Sequence, residues 1–326
     1  AGVSPTQLGG YIVGNPHYAA GQSAKLIVNE VTSTNPTYLR GYTEVAGRAA
    51  DVIIANPNGI TVNGGGFINT NRATLTTGTP IFGADGALSG LRVTGGHLTI
   101  EGDGLNASNI DRLDLISRSL SVNGGVWANQ LNVVTGANQV NEADLSTQAI
   151  AGPGEAPAVS IDVAALGGMY ANAVHLIATE AGVGVRNAGT LASQSGDFTI
   201  DSAGHLELTG RLQSAGNLTV HSDGDAHNSG TLYSGADLTL TTGGTLTNRN
   251  VIAAAHNLNL RAQQLASSGT LGAGVASDGS LQGSGALTVT TDGLLTATGS
   301  HLASGAITLQ GSALALSGAQ TRTGGD

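Results

Sequence analysis

The sequence has no cysteine, a single lysine (Lys25) and no long apolar run. A chain without thiols suits passage through an oxidising periplasm in the unfolded state, because no wrong disulfide can form. Its 12 basic and 22 acidic residues give a net charge of −10, which excludes the basic stripe that nucleic-acid binding requires and disfavours binding to an anionic membrane surface. No segment approaches the ~20 consecutive apolar residues of a membrane-spanning helix.

Aromatic and charged residues are also scarce. Aromatic residues make up 3% and charged residues 10% of the 326-residue chain, whereas glycine occurs 51 times. This composition is not typical of a helical globular protein, and the charge is too low for a disordered chain. Threonine, valine, leucine, serine, asparagine and glycine alternate rapidly, which indicates many short strands joined by tight turns. We therefore predict an all-β protein with a thin core of small aliphatic side chains.

A repeat of about 20 residues occupies the second half of the chain. Apolar–polar–apolar triads begin at Phe198, Leu218, Leu238, Leu258, Leu287 and Ile307, at intervals of 20, 20, 20, 29 and 20 residues. A second apolar column is predicted at Leu191, Leu212, Leu232, Ile252, Leu281 and Leu302, and a Gly/Ala/Ser loop around residues 270–280 absorbs the long interval. The repeat predicts a right-handed parallel β-helix (β-solenoid) with ~20-residue coils, each burying its apolar face against the next.

The first half is less regular, although short strands separated by glycine, asparagine and aspartate run through it. Residues 136–158 lose the strand pattern and contain two prolines, so we predict a small extra-helical excursion there. Residues 160–168 are predicted to form a short helix before the strands resume.

A tight corner at residues 56–60 is the most distinctive feature of the first half. The segment Asn56-Pro57-Asn58-Gly59-Ile60 follows the apolar run at residues 52–55 and precedes three consecutive glycines at residues 64–66. Proline fixes φ near about −65°, and asparagine and glycine tolerate positive φ, so Asn-Pro and Asn-Gly both favour turns. The pattern predicts two short strands joined by this corner. The three glycines are interpreted as a turn rather than a phosphate-binding loop, because the segment lacks the lysine and the helix of a P-loop.

The corner is accompanied by Gly66-Phe67-Ile68-Asn69, Asn71-Arg72 and the block at residues 75–78. Together they resemble the amino-terminal secretion domain of two-partner-secretion exoproteins, the group of filamentous haemagglutinin, large haemolysins and contact-dependent growth-inhibition proteins. Two further blocks, at residues 126–131 and 135–138, match the growth-inhibition branch best. The resemblance covers residues 7–190 and implies the same β-helix fold for the first half.

The resemblance also implies a domain division. Residues 1–195 are predicted to be the secretion domain and residues 196–326 the first haemagglutinin-type β-helix repeats. The family has a signal peptide and further residues ahead of the point at which Ala1 stands, so the secretion domain is predicted to be incomplete at its front. An upstream Asn-Pro motif of the family is only half retained, in Asn15-Pro16-His17-Tyr18.

From the resemblance we expect a non-enzymatic segment of a large protein that is exported through the periplasm to the surface of a Gram-negative bacterium or into the medium. Its expected partner is an outer-membrane β-barrel transporter, and the chain, a monomer, would fold outside the cell. The residues expected to be read by the transporter, or simply to hold the corners together, are Asn15, Pro16, Asn56, Pro57, Asn58, Gly59 and Ile60. The parent protein would be a growth-inhibition effector or an adhesin, with any receptor bound by parts outside this chain.

Two sets of side chains are candidates for metal binding or catalysis. His221, Asp223, Asp225 and His227 would share one face of an extended strand and bind a transition metal, but Gly224 favours a solvated turn. Polysaccharide-cleaving enzymes also use parallel β-helices and require clustered acids. The densest set here is Asp111, Arg112 and Asp114, which we interpret as a surface ion pair. We therefore predict no metal, no cofactor and no catalysis, with a carbohydrate-active enzyme as the alternative.

Overall fold

Short strands and turns form all the regular structure in a computed structural model that describes residues 2–19 and 21–324. The predicted domain ends at Ala1 and Asp326 lie outside these residues. Within them there is no helix, so the all-β prediction is confirmed and the helix predicted at residues 160–168 is wrong. No helix long and apolar enough to cross a membrane therefore occurs in the described part of the chain. The chain divides into two compact units, residues 1–155 and 156–326.

The first unit combines parallel coils with two small antiparallel sheets. Its strands are β1 (Val3–Pro5), β2 (Tyr11–Val13), β3 (Leu26–Glu30), β4 (Thr37–Leu39), β5 (Tyr42–Glu44), β6 (Asp51–Ala55), β7 (Ile60–Val62), β8 (Gly65–Ile68), β9 (Arg72–Thr76), β10 (Thr79–Phe82), β11 (Leu88–Val93), β12 (His97–Ile100), β13 (Leu105–Ser117), β14 (Ser119–Val122), β15 (Gly125–Thr135), β16 (Asn138–Asn141) and β17 (Thr147–Ala149). Strands β1 and β2 pair antiparallel at the front, and β10, β11, β16 and β17 form an antiparallel sheet outside the coils.

The coils of the first unit stack in register. Strands β3, β6, β9, β13 and β15 form one parallel stack, β4, β7, β12 and β14 a second, and β5, β8 and the start of β13 a third. Ile54, Leu75, Leu115 and Val133 lie opposite one another in the first stack and are buried. The parallel β-helix predicted from the resemblance is confirmed for this unit.

The antiparallel sheet covers the outer face of the first stack. Thr74 and Asp114 lie on that face, between inward-pointing neighbours, and are 2% and 0% exposed. Leu91, Val93 and Val140 of the antiparallel sheet are buried as well. Residues 136–158 leave the coils, as predicted. Their strand β16 pairs with β11, which lies outside this segment, so the excursion also includes β10 and β11 from a separate part of the chain.

The second unit is a regular solenoid with three strands in each complete coil. Its strands are β18 (Val159–Val163), β19 (Gly168–Ala171), β20 (Ala173–Ala178), β21 (Gly184–Asn187), β22 (Thr190–Ser193), β23 (Phe198–Ser202), β24 (Leu206–Leu208), β25 (Arg211–Ser214), β26 (Leu218–Ser222), β27 (Ala226–Asn228), β28 (Thr231–Ser234), β29 (Leu238–Thr242), β30 (Thr245–Asn248), β31 (Val251–Ala254), β32 (Leu258–Ala262), β33 (Gln264–Ser267), β34 (Thr270–Ala273), β35 (Leu287–Thr291), β36 (Leu294–Ala297), β37 (Ser300–Ala303), β38 (Ile307–Gln310), β39 (Ala313–Ala315) and β40 (Gln320–Thr323). From β18 to β37, each strand pairs in parallel with the strand three places later.

The six predicted triads lie in one stack of the second unit and share one register. Phe198, Leu218, Leu238, Leu258, Leu287 and Ile307 are directly opposite one another along it. The second apolar column is confirmed from Leu191 to Ile252 and is wrong beyond that point. Its next members are Leu271 and His301 rather than Leu281 and Leu302. Leu281 fails because the inserted loop follows β34, starts only at residue 274 and contains it. Leu302 fails by one residue of register, since it lies opposite Gly272.

Buried polar side chains line the corners of the second unit. The Nδ2 of Asn228 donates to Oδ1 of Asn248 at 2.8 Å, and the Nδ2 of Asn248 donates to Oγ of Ser267 at 3.1 Å and to the carbonyl of Thr270 at 3.3 Å. Each bond joins one coil to the next and satisfies a polar group inside the solenoid. The Nδ2 of Asn248 also lies 3.3 Å from the carbonyl of Asn250, which it can bind within its own turn.

His301 occupies a core position that methionine, leucine or isoleucine fills in the earlier coils. Its side chain is fully buried, Nδ1 lies 3.3 Å from the Thr321 hydroxyl, and Nε2 has no partner in the described residues. Burial lowers the pKa of His301 from its ordinary value of 6.5. The imidazole therefore binds a proton more readily in the unfolded chain than in the folded one. As pH falls through 6.5 towards the lowered pKa, this difference reduces the free energy of unfolding.

Replacing His301 by leucine is therefore expected to stabilise the second unit by about 1 kcal/mol or more, since it removes an unpaired buried nitrogen. The gain should be larger at about pH 5.5 than at about pH 7.5, because only the histidine must lose a proton to fold. Denaturant unfolding followed by far-UV circular dichroism measures both values. The control is His227→Leu, at an exposed position; an equal gain from the control, or a pH-independent gain, would contradict the prediction.

Candidate functional site

The corner at residues 56–60 ends β6 and begins β7. Pro57 follows Asn56 and cannot continue the strand ladder, while Gly59 adopts a φ of 110°, which is open to glycine and strained for other residues. A methyl group at Gly59 would also stand 3.1 Å from the backbone oxygen of His97 in the next coil. The local sequence therefore fixes a turn that packs tightly against the coil that follows it.

The side chain of Asn56 is the centre of this corner. It is fully buried, and its Nδ2 donates to the carbonyl of Asn35 at 2.9 Å and to the hydroxyl of Thr37 at 2.8 Å. Its Oδ1 accepts hydrogen bonds of 2.9 Å from both the backbone N–H and the side-chain amide of Asn58. The amide thus ties the corner to the preceding coil through two donors and closes its own turn through the acceptor.

The other corner residues divide into buried and exposed members. Ile60 is 1% exposed and packs in the core, whereas Pro57 and Asn58 face solvent. The amide of Asn58 reaches back to the carbonyl of Ser33 at 2.6 Å. Sequence reasoning missed the partners of the corner, which are Ser33, Asn35 and Thr37. They could have been found from the repeat, because they lie about one coil before the corner in the chain.

The second predicted corner, at Asn15 and Pro16, is an exposed turn near the front of the first unit. The Oδ1 of Asn15 accepts a hydrogen bond from the backbone N–H of His17 at 2.9 Å. The backbone carbonyl of Asn15 accepts one from the backbone N–H of Tyr18 at 3.3 Å. Both corners thus use an asparagine oxygen to bind the N–H two residues later. Their hydrogen bonds involve separate residues, so the structure keeps the Asn15 turn and the Asn56 corner as two sites.

Arg112 and Asp114 do form an ion pair, but the prediction that it lies at the surface is wrong. Asp114 is fully buried, and its carboxylate accepts hydrogen bonds from Nε of Arg72 at 2.7 Å, Nε of Arg112 at 2.8 Å and Nδ2 of Asn132 at 2.8 Å. Arg72 also binds the Glu142 carboxylate through Nη1 at 2.5 Å. The network links three stacked strands to the antiparallel sheet that covers them, which is why Asp114 is withdrawn from water.

The solvated turn at residues 221–227 is confirmed. His221 lies at the end of β26, residues 223–225 form the turn, and His227 lies in β27, so the four side chains do not share a strand face. The Nε2 of His221 is 3.2 Å from Oδ1 of Asp223, and both side chains are substantially exposed. Across the part of the chain that the structure describes, no group of three or more His, Cys, Asp or Glu side chains is placed to hold a metal ion.

Stacked coils with asparagine-tied corners, a core of small aliphatic side chains and a covering antiparallel sheet define a parallel β-solenoid. A family model described as the TPS secretion domain matches residues 10–208, and one described as the haemagglutinin repeat matches residues 213–282 and 267–326. The chain therefore belongs to the TPS secretion domain family. The resemblance inferred from the Asn56 corner and the blocks after it is thereby confirmed.

Known relatives agree with this assignment. The chain is 50% identical over 321 residues to the tRNA nuclease CdiA-2 of Burkholderia pseudomallei, covering 98% of this chain and 10% of that protein. It is 53% identical over 212 residues to the 16S rRNA endonuclease CdiA of Enterobacter cloacae, covering 65% of this chain and 6% of that protein. The chain thus spans about a tenth of the length of these relatives, or less. The family and these relatives indicate an exported protein of a Gram-negative bacterium.

A solved structure shows the same architecture. The crystal structure of the filamentous hemagglutinin secretion domain superposes with a TM-score of 0.59 at 31% sequence identity, covering 81% of this chain and 79% of that one. The alternative of a carbohydrate-active β-helix enzyme finds no support in these relatives or in the arrangement of acids.

Proposed function

We propose that this chain is the secretion module and the first shaft coils of a large exported protein, recognised by an outer-membrane β-barrel transporter of the two-partner-secretion type. The secretion module would comprise residues 1–195 and the shaft coils residues 196–326. The observation that carries the proposal is the family match over residues 10–208, which contains the Asn56 corner. The chain would act as a monomer that reaches the cell surface or the medium.

The transporter is proposed to read the two asparagine-proline corners. The residues concerned are Asn15, Pro16, Asn56, Pro57, Asn58, Gly59 and Ile60. Because Asn56 is fully buried in the folded corner, its side chain would be read before the corner closes, while the chain is still unfolded. Once outside, the same amide would bind positions 35 and 37 and hold the first coils together.

Folding itself would drive export. Each coil gains its stability by stacking on the coil before it, so a chain that emerges from its front end can add coils one at a time. Every added coil buries leucine, isoleucine or valine side chains, such as Leu218, Leu238 and Leu258 in the second unit, and this burial releases free energy without ATP. A nearest-neighbour solenoid is suited to such stepwise folding.

The parent protein is proposed to be a contact-dependent growth-inhibition effector. Its relatives include proteins named tRNA nuclease, 16S rRNA endonuclease and toxin, and this chain matches only about a tenth of the first of them. Toxin activity and any receptor binding would therefore belong to parts of the parent outside this chain. An adhesin is the second candidate, favoured by the likeness to the hemagglutinin secretion domain.

The test is co-expression of the chain, preceded by a signal peptide and a family front segment, with a cognate transporter. We expect the chain in the medium or at the cell surface only when the transporter is present, as measured by immunoblotting of cell and medium fractions. Secretion without the transporter, or retention with it, would overturn the proposed function and leave the family membership as a statement about fold.

A further inference from the structure

A cleft in the first unit lies apart from both corners. It is a shallow groove open to solvent, with a volume of about 410 Å³, and is lined by Gln7, Leu8, Tyr42, Ile68, Asn106, Ser108 and Asn109. Its lining contains three amides, the hydroxyls of Ser108 and Tyr42, two aliphatic groups and one aromatic ring, and no charged side chain. The antiparallel sheet and the Asp114 network use none of these residues.

The floor of the cleft is the ring of Tyr42, which lies across the backbone of Gly66. A methyl group built at Gly66 would meet three atoms of this ring at 2.3–2.7 Å, so one face of the ring covers the glycine. Gly66 is buried because the ring covers the side of the backbone from which a side chain would project. Tyr42 itself is 45% exposed. A planar aromatic side chain is thus held flat on the sheet, with its other face open.

Hydrogen bonds fix the two walls of the cleft in advance. On one side the Glu44 carboxylate accepts the backbone N–H of Gln7 at 2.8 and 3.0 Å and that of Leu8 at 2.8 Å, which holds the turn between β1 and β2 against β5. On the other side Asn106 Oδ1 accepts from the Ser108 hydroxyl at 2.7 Å, and Asn109 Nδ2 donates to the Phe67 carbonyl at 2.6 Å. Within residues 2–19 and 21–324, the Asn106 amide nitrogen and the Asn109 amide oxygen make no hydrogen bond, so both are available to a ligand.

The same row of the sheet carries a second aromatic ring. Tyr42, Gly66, Asn106 and Trp127 lie opposite one another on successive strands. The Trp127 ring covers Gly125, where a methyl group would stand 2.2 Å from it, and it is 39% exposed. The Tyr42 ring lies over Gly66, which is two strand steps from Trp127. At about 4.8 Å for each step, the two rings are roughly 10 Å apart along the stack, with the Asn106 amide between them.

We infer that this row binds an uncharged oligosaccharide, whose sugar rings stack on Tyr42 and Trp127 and whose hydroxyls bond to the amides of Asn106 and Asn109. A sugar ring presents an apolar C–H face that packs on a flat aromatic ring, and hydroxyls around its rim that both donate and accept. The uncharged lining favours a neutral saccharide over a sulfated or uronic one, which would need basic partners. Glu44 is adjacent but its carboxylate is occupied by backbone N–H groups.

The experiment titrates the 326-residue chain with neutral hexasaccharides (cellohexaose, maltohexaose and xylohexaose) and with a heparin-derived hexasaccharide. Trp127, the only tryptophan, reports binding by its fluorescence, and calorimetry gives the affinity. We expect at least one neutral hexasaccharide to bind, and Tyr42→Ala to weaken it about tenfold. Gly66→Ala, which tilts the Tyr42 ring, should also weaken binding, while the melting temperature stays near that of the parent.

The matched control is Tyr38→Ala, which removes another exposed tyrosine, 58% exposed, from the neighbouring strand stack. It should change the affinity less than twofold or so, because Tyr38 lies outside the row. The inference is overturned if no neutral hexasaccharide binds, if only the heparin hexasaccharide binds, or if Tyr42→Ala and Tyr38→Ala weaken binding equally. Failure of transporter-dependent secretion would leave this result untouched.

Discussion

Asn56→Ala is expected to lower transporter-dependent secretion at least about tenfold. The change removes two side-chain donors to the preceding coil and the acceptor that closes the turn. Loss of buried hydrogen bonds costs about 1–3 kcal/mol for each group left unpaired, so the first coils would also be less stable. Secreted and retained protein are measured by immunoblotting of medium and cells that express a cognate transporter.

A matched control separates recognition from corner stability. Asn248 is a fully buried corner asparagine of the second unit, and its amide also binds the next coil. Asn248→Ala therefore removes a similar structural contact at a position beyond the matched secretion domain. We expect Asn248→Ala to be secreted at a level close to that of the parent chain.

A second control stays within the corner itself. Thr37→Val removes the hydroxyl that accepts from Asn56 at 2.8 Å and keeps the asparagine. If the transporter reads Asn56 in the unfolded chain, this variant is secreted while the folded corner is weakened. An equal loss of secretion in Thr37→Val or Asn248→Ala would show that Asn56 acts only through the stability of the coils, and recognition would have to be sought elsewhere.

The solenoid could be predicted from the sequence because its information is local and repeated. The triads at Phe198, Leu218 and Leu238 recur at one interval, and each pairs with its neighbours in the next coil. Where the interval is broken, the sequence does not say on which side of β34 the extra residues lie. The second column therefore failed at Leu281, although Leu271 occupies the position.

The helix predicted at residues 160–168 failed for a related reason. An apolar segment of that length suits a helix or a strand, and the choice is made by the coils on which it packs. Here Ile161 and Val163 lie opposite Val185 and Asn187 of the next coil. Tertiary pairing therefore decides in favour of the strand.

The candidate site was predictable only in part. Asn56 to Ile60 form one continuous segment, so the turn can be predicted from its own residues. The hydrogen-bond partners of Asn56, which are Asn35 and Thr37, belong to another coil and carry no such local signal. The same limit applies to Arg72 and Glu142, which are 70 residues apart. A contact across that separation has no local signal, since it depends on the antiparallel sheet that returns Glu142 to the coils.

The Asp114 network should dominate the stability of the first unit. Asp114→Ala removes the fully buried carboxylate that binds Arg72, Arg112 and Asn132. Arg72 keeps its bond to Glu142, whereas Arg112, which is 23% exposed, loses its partner. Breaking a buried ion pair costs about 3–5 kcal/mol when the remaining charge is buried and uncompensated. Because both arginines are partly exposed and Arg72 keeps Glu142, we expect a loss at the lower end, about 3 kcal/mol. We expect denaturant unfolding of this variant, followed by Trp127 fluorescence, to show a loss of that size, because the only tryptophan lies in this unit.

The control for this prediction is Asp162→Ala in the second unit. Asp162 pairs with Arg186 through two hydrogen bonds, as Asp114 does with its arginines, but the two side chains are 29% and 53% exposed. An exposed pair contributes about 0–1 kcal/mol, so far-UV circular dichroism should show little change. If Asp114→Ala lowers the free energy of unfolding as little as Asp162→Ala, the buried carboxylate does not hold the antiparallel sheet against the coils. The apolar contacts of Leu91 and Val140 must then hold it instead.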